Sequence, residues 1–223
     1  MITYKTFIFD LDGTLLDTLG DLAAAVNYAL RTHGMPEHSI DDVRRFVGNG
    51  VRKLMERAIP AGAYNTDFED TFATFREYYL KHSLDTTKPY EGIPETLRAL
   101  KARGCRLAVV SNKMMAATKE LCQHFFPDTI EVAIGEDEAS GIRKKPAPDT
   151  VFEALRQISP DLPRGEEGLR GVNAVYVGDS DVDIETARNS GLPCISVLWG
   201  FRDRTFLEKH GAKTFISAPQ ELL

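Results

Sequence analysis

The chain has 223 residues, 43% apolar and 27% charged, an ordinary globular composition that excludes disorder over any long stretch. Its formal charge of -6 argues against a general binder of nucleic acid or anionic membranes, because such surfaces depend on an excess of Lys and Arg. No apolar run approaches the roughly 18 residues that span a bilayer, and Met1 to Phe9 is too short and too mixed for a signal peptide, so no membrane association and a cytoplasmic location are expected.

In chain order, the first β-rich apolar run is Thr6–Phe9, which ends in Asp10. From Thr18 to Lys88 no strand is predicted. Apolar residues recur there at three- and four-residue spacing over Asp21–Arg31, Ile40–Phe46, Val51–Ile59 and Phe68–His82, separated by Gly, Pro and Asn signals. An insert of about 70 residues exceeds a simple crossover and reads as a helical cap. A helix over Pro94–Arg103 then leads to a strand, Leu107–Val110, that ends in Ser111-Asn112. A helix over Met115–Phe126, a plain strand over Ile130–Ile134 and a helix over Pro148–Ile158 follow. The strand Val175–Val177 ends in Gly178-Asp179, and after a helix over Asp181–Asn189 come Ile195–Leu198, a short strand within Lys213–Ser217 and a helical turn over Pro219–Leu223. Strands alternating with helices imply an α/β fold with a parallel sheet covered on both faces, comprising residues 1–17 and 89–223, with an α-helical cap domain inserted as residues 18–88. Cys105, Cys122 and Cys194 are odd in number and lack metal-binding spacing, which implies free buried thiols in a reducing compartment.

In such sheets ligands sit beyond the carboxyl ends of the strands, where three of these strands carry polar residues. Asp10 and Asp12 leave the same face while the chain is extended, and Gly13 then permits a sharp turn. Like charges that close need a cation, and a hard divalent ion such as Mg2+ suits carboxylates, with Asp179 as a third ligand. Asp181 and Asp183 add negative charge. Taken singly, each aspartate also reads as a helix cap or turn residue. Lys145, in "IRKKPAPD", is the candidate counter-charge, against the ordinary alternative of surface solvation; Ser111 and Asn112 read either as anion donors or as capping residues. Carboxylates, a metal, a lysine and hydroxyl or amide donors are together what phosphoryl transfer requires.

"DLDGTLLDT", "VVSNK", "KKPAPD" and "VGDSDVDIETARNSG" resemble, in order and spacing, the four motifs of the haloacid dehalogenase superfamily, most closely its phosphoglycolate phosphatase-like phosphatases. The resemblance implies a Rossmann-like core and a Mg2+-dependent hydrolase of small phosphomonoesters. It makes Asp10 the nucleophile of a phosphoaspartyl intermediate and Asp12 the general acid/base, which also ligates Mg2+ through its backbone carbonyl. Ser111 would bind the transferring phosphoryl group, with Asn112 and Gly13 beside it. Lys145 would orient Asp10, Asp179 would complete the metal site, and Thr14 and Asp183 would support it. Haloacid dehalogenases themselves lack the second aspartate, so Asp12 argues against that chemistry. Trp199, in "VLWGF", matches a segment of the phosphoglycolate phosphatase branch and also reads as a core aromatic.

The cap should choose the substrate, and "FVGNGVRKLM" offers either a substrate contact through Arg52 and Lys53 or a plain turn with solvated basic residues. The implied partner is a small phosphorylated metabolite, and the protein is expected to be a monomer or homodimer. A phosphosugar mutase or a pyrophosphatase on the same core is the alternative chemistry, and a non-catalytic binding protein the alternative class.

Overall fold

The computed structural model describes residues 4–137, 140–159 and 172–223. Its elements follow in the order β1 (Thr6–Phe9), β2 (Leu16–Asp17), α1 (Leu19–Thr32), α2 (Ile40–Phe46), α3 (Val51–Ala58), α4 (Phe68–His82), β3 (Lys88–Pro89), α5 (Ile93–Ala102), β4 (Arg106–Met114), α6 (Met115–Phe125), β5 (Val132–Glu136), α7 (Asp149–Ile158), β6 (Ala174–Gly178), α8 (Asp181–Asn189), β7 (Cys194–Val197), α9 (Arg204–Lys209) and β8 (Phe215–Ile216). The chain divides into two compact units, one of Met1–Leu16 with Pro89–Leu223 and one of Asp17–Lys88.

The first unit holds a six-stranded sheet in the order β5-β4-β1-β6-β7-β8, each adjacent pair parallel. Alternation along the strands produces two apolar faces. Phe7, Phe9, Leu107, Val109, Val175 and Val177 join Ile93, Leu97 and Leu100 of α5 and Leu121 of α6 in one buried cluster. Ile8, Ala108, Val110 and Tyr176 face the other way, against Val151, Ala154, Leu155 and Ile158 of α7. With helices over both faces, the central strands are buried throughout, as their continuous apolar runs require. The α/β parallel-sheet core is as the sequence pattern implied.

Three local differences have physical causes. β4 continues through Ser111, Asn112 and Lys113, residues whose polarity ended the predicted strand at Val110 but whose side chains are buried. β5 starts at Val132 rather than at residue 130. Helix α9 was not predicted because six residues are too few to show a period; Asp203 caps it by accepting the Phe206 N–H at 2.8 Å. The three cysteines are free thiols, but Cys194 is only half-buried, unlike Cys105 and Cys122. Among the described residues no helix is long and apolar enough to cross a membrane.

In the second unit α1 packs along α4. Leu22, Val26, Ala29 and Leu30 are buried on α1, and Phe68, Phe75 and Tyr79 on α4, both sets at helical spacing. One buried charge closes the unit on itself. Asp21 accepts the backbone N–H groups of Thr86 and Thr87 at 2.9 Å each, and both threonine hydroxyls, at 2.5 and 2.7 Å. A buried carboxylate is tolerated when such donors satisfy it. Asp21→Ala strands these donors and is expected to cost about 3 kcal/mol in urea unfolding, with Asp21→Asn, which keeps one acceptor oxygen, costing less.

Candidate active site

The site follows from strand register. Phe9 of β1 is level with Val109 of β4 on one side and Val177 of β6 on the other, so Asp10, Ser111 and Asp179 all emerge at the carboxyl edge of the sheet. The Asp10 N–H still donates to the Val177 carbonyl at 2.9 Å, which fixes where the nucleophile candidate leaves the strand.

Lys145 reaches this edge from the segment before α7 and is 4% exposed. Asn112 holds it by the backbone: its side-chain oxygen accepts the Lys145 N–H at 2.8 Å, and its amide donates to the Lys145 carbonyl at 2.9 Å. The ammonium then donates to Asp10 Oδ1 at 2.6 Å, Asp183 Oδ1 at 2.8 Å and the Tyr176 hydroxyl at 3.1 Å, engaging its three protons. The Tyr176 hydroxyl in turn donates a hydrogen bond to Asp183 Oδ1 at 2.9 Å. The other oxygen of Asp183 accepts from the N–H groups of Asp179 and Ser180 and from the Ser180 hydroxyl, forming the capping box of α8. Asp183 is therefore both the helix-capping residue of the plain reading and a structural part of the site.

Burial would push the Lys145 ammonium down, but the Asp10 and Asp183 carboxylates outweigh it and hold its pKa well above the ordinary range. Asp10 is raised well above the usual carboxylate range, by burial first and then by Asp183, with Lys145 opposing. Asp179 is pushed up to about 7 by burial and by Asp183, against the Phe201 N–H that its Oδ2 accepts at 2.6 Å. Two glycines make room for this carboxylate. A Cβ on Gly13, whose φ is +91°, would lie 2.4 Å from Asp179 Oδ2, and one on Gly200 would lie 2.3 Å from Asp179 Cβ.

Carboxylate oxygens of Asp10, Asp179 and Asp183 lie within 4.8 Å of one another, a buried all-oxygen donor set that suits a hard divalent cation. Both Asp183 oxygens accept several close hydrogen bonds, whereas Asp10 Oδ2 accepts from Thr14 at a long 3.5 Å.

The structure adds detail to three of the sequence-based candidates. The Asp12 carboxylate lies outside this group of oxygens; it pairs with Lys113, whose Nζ lies 3.0 Å from Asp12 Oδ1, so each of the two neighbouring aspartates has its own lysine. Asn112 is clamped to the Lys145 backbone. Gly13 gives conformation and space to Asp179. The other candidates stand at the edge. Ser111 is buried and its hydroxyl accepts the Lys113 N–H at 3.1 Å, and the Thr14 hydroxyl is 3.5 Å from Asp10 Oδ2. Sequence reasoning missed Tyr176, Lys113 and the role of "WGF", in which Trp199 packs on the core and donates to the Thr14 carbonyl at 3.0 Å. Arg52 pairs with Glu69 and lies over the Phe68 ring at 4.9 Å, while Lys53 pairs with Glu56, so both basic residues have partners within the second unit.

A family model described as haloacid dehalogenase-like hydrolase matches residues 7–197, and the chain belongs to that family. It is 35% identical to a phosphoglycolate phosphatase of Aquifex aeolicus over 198 residues, covering 88% of this chain and 86% of that one. It is 29% identical to an N-acetylmuramic acid 6-phosphate phosphatase of Pseudomonas aeruginosa, over 98% of this chain and 93% of that one. Among solved structures, one from Lactobacillus delbrueckii subsp. bulgaricus, whose assignment as a phosphoglycolate phosphatase is itself provisional, superposes with a TM-score of 0.88 at 37% identity, covering 98% of this chain and 96% of that one. The enzyme class expected from the motifs, a phosphatase, agrees with these relatives.

Asp179 also yields a stability test. A carboxyl with a pKa near 7 in the fold and about 3.9 when unfolded keeps in the native state a proton that the unfolded chain loses, so its contribution is full below about pH 4 and is lost as pH rises through 7. In chelator, the melting temperature of Asp179→Asn relative to wild type is expected to rise from about pH 5 to pH 8, by several degrees.

Proposed function

We propose that this chain is a Mg2+-dependent hydrolase of small phosphomonoesters, of the phosphoglycolate phosphatase type, acting through a phosphoaspartyl intermediate on Asp10. The observation that carries the reading is the buried contact of the Lys145 ammonium with Asp10 Oδ1 at 2.6 Å beside Asp179, at the open end of the parallel sheet. Similarity to phosphatases of two different phosphomonoesters along most of their length supports the class of reaction.

Lys145 holds Asp10 through one oxygen and favours its ionised form, so the second oxygen is presented for attack. As the Asp10 oxygen bonds to phosphorus, the bond from phosphorus to the ester oxygen breaks, and that oxygen takes its electron pair and a proton from Asp12. A water molecule then attacks phosphorus and gives a proton to Asp12, and the phosphorus–oxygen bond to Asp10 breaks with its electron pair returning to the carboxylate. Ser111 donates to a phosphoryl oxygen from the end of β4. Asp10, Asp179 and the Asp12 backbone carbonyl would hold Mg2+, which would supply positive charge to offset that on the phosphoryl oxygens. Because these core residues address only the phosphoryl group and the atoms bonded to it, selection among esters falls in this reading to the helical insert.

Inorganic phosphate release from a panel including 2-phosphoglycolate, N-acetylmuramic acid 6-phosphate, sugar phosphates and pyrophosphate tests the proposal. Release is expected with Mg2+, lost in chelator and reduced at least about a thousandfold in Asp10→Asn. Turnover by Asp10→Asn near the wild-type rate would overturn the covalent mechanism, and no release by wild type from any panel member would overturn the hydrolase reading.

A further inference from the structure

Lys113 is the second buried lysine of the site, and the reading above leaves it without a part. It is 3% exposed, although lysine is among the residues least often buried and an ammonium is tolerated there only with a counter-charge. That counter-charge is Asp12, with Nζ 3.0 Å from Oδ1. The lysine backbone is pinned from two sides: its N–H donates to Ser111 Oγ at 3.1 Å, and its carbonyl accepts the Thr118 hydroxyl at 3.3 Å. The pairing of β4 with β5 shifts register between Val110 and Met114, so Lys113 stands at an irregularity of an otherwise continuous strand.

Asp12 lies just after β1 in an isolated bridge with Leu16, outside the six-stranded sheet. Its Oδ1 is buried against the Lys113 ammonium, whereas the side chain as a whole keeps 16% of its surface exposed, so the lysine holds one oxygen and the rest of the carboxyl group stays within reach of a reacting oxygen. This arrangement orients a carboxyl group while leaving it able to exchange a hydrogen bond with a reacting oxygen.

We propose that Lys113 is a positioning residue for Asp12, holding that carboxyl group where the ester oxygen departs and where water later attacks. The inference rests on the hydrolase reading and divides the work between two lysines: Lys145 positions the aspartate that forms the bond to phosphorus, and Lys113 the aspartate that handles the proton. Its signature is dependence on the leaving group, because p-nitrophenolate departs without a proton whereas an alkoxide needs one.

The test uses the purified full chain with Mg2+, in single-turnover measurements on p-nitrophenyl phosphate and on an alkyl phosphomonoester, glycerol phosphate or the best panel substrate. Lys113→Met is expected to slow transfer from the alkyl ester by about thirtyfold and from p-nitrophenyl phosphate by less than about threefold, with KM unchanged. Lys113→Arg should restore most of the alkyl-ester rate, and in an Asp12→Asn background Lys113→Met should cost nothing further. Equal losses on both substrates, a loss confined to KM, or additive losses with Asp12→Asn would overturn the proposal. If Lys113→Met does not fold, Lys113→Gln carries the same comparison. A wild type inactive on every ester would defeat the hydrolase reading itself, whereas an active wild type whose Lys113 variants match it would defeat this inference alone.

Discussion

The Lys145 ammonium is the contact on which the site is built. It has three protons to donate, and the fold supplies three buried acceptors from three places: Asp10 after β1, Tyr176 within β6 and Asp183 at the start of α8. Removing the lysine would leave two carboxylates and a phenol stranded without their donor, a cost well beyond that of a single hydrogen bond. A buried ion cluster of this kind gains little stability over a well-packed apolar one. Its presence at the end of an otherwise apolar sheet therefore points to chemistry: it engages one oxygen of Asp10 and opposes the rise in that carboxyl's pKa that burial and Asp183 produce.

The rest of the core holds that contact in register. A parallel sheet directs successive strands to the same edge, and level pairing of β1 with both β4 and β6 brings residues distant in sequence to one depth. Asn112 then clamps the lysine segment by its backbone, and Gly13 and Gly200 let two chain turns close on Asp179. The capping box of α8 has a double use. The same Asp183 that starts the helix also accepts from Lys145, so starting the helix and placing the cation are one structural event.

Much of this was legible in the sequence, and the parts that were not share a cause. Asp10, Lys145 and Asp179 stood out because charge at the end of an apolar run, or beside prolines, departs from what packing alone would choose. Tyr176 did not, because an aromatic residue inside "AVYVG" is what a buried strand ordinarily contains, and only the structure shows that its hydroxyl reaches the lysine. Lys113 was hidden in the opposite way: a lysine after "SN" is normally solvated, so the predicted strand ended at Val110, four residues before the end of β4, and gave the lysine no part. Asn112 and Gly13 stood out beside the polar strand ends, but the hold of one on the Lys145 backbone and the room the other leaves for Asp179 were not legible, since sequence records that a residue is near chemistry and not which neighbour takes its hydrogen bonds. The helices of the second unit were readable from spacing, whereas the hold of Asp21 on Thr86 and Thr87 joins residues more than sixty positions apart and leaves no local pattern.

The two aspartates that open the chain's first motif illustrate how the fold manages adjacent like charges. One lysine shared between them would have coupled the pair, so that moving a proton on one would shift the other. The structure instead gives each its own buried lysine, Lys145 for Asp10 and Lys113 for Asp12, from different segments. In the hydrolase reading proposed above, the separation matters because covalent catalysis asks different things of the two groups. The attacking carboxylate must be ionised when it meets phosphorus, a state that the three-way engagement of its lysine favours. The proton-handling carboxyl changes state twice in each cycle, which favours a lysine held against one oxygen while the side chain stays partly exposed. Two residues apart in sequence, Asp10 and Asp12 are distinguished by the kind of contact each makes with its lysine.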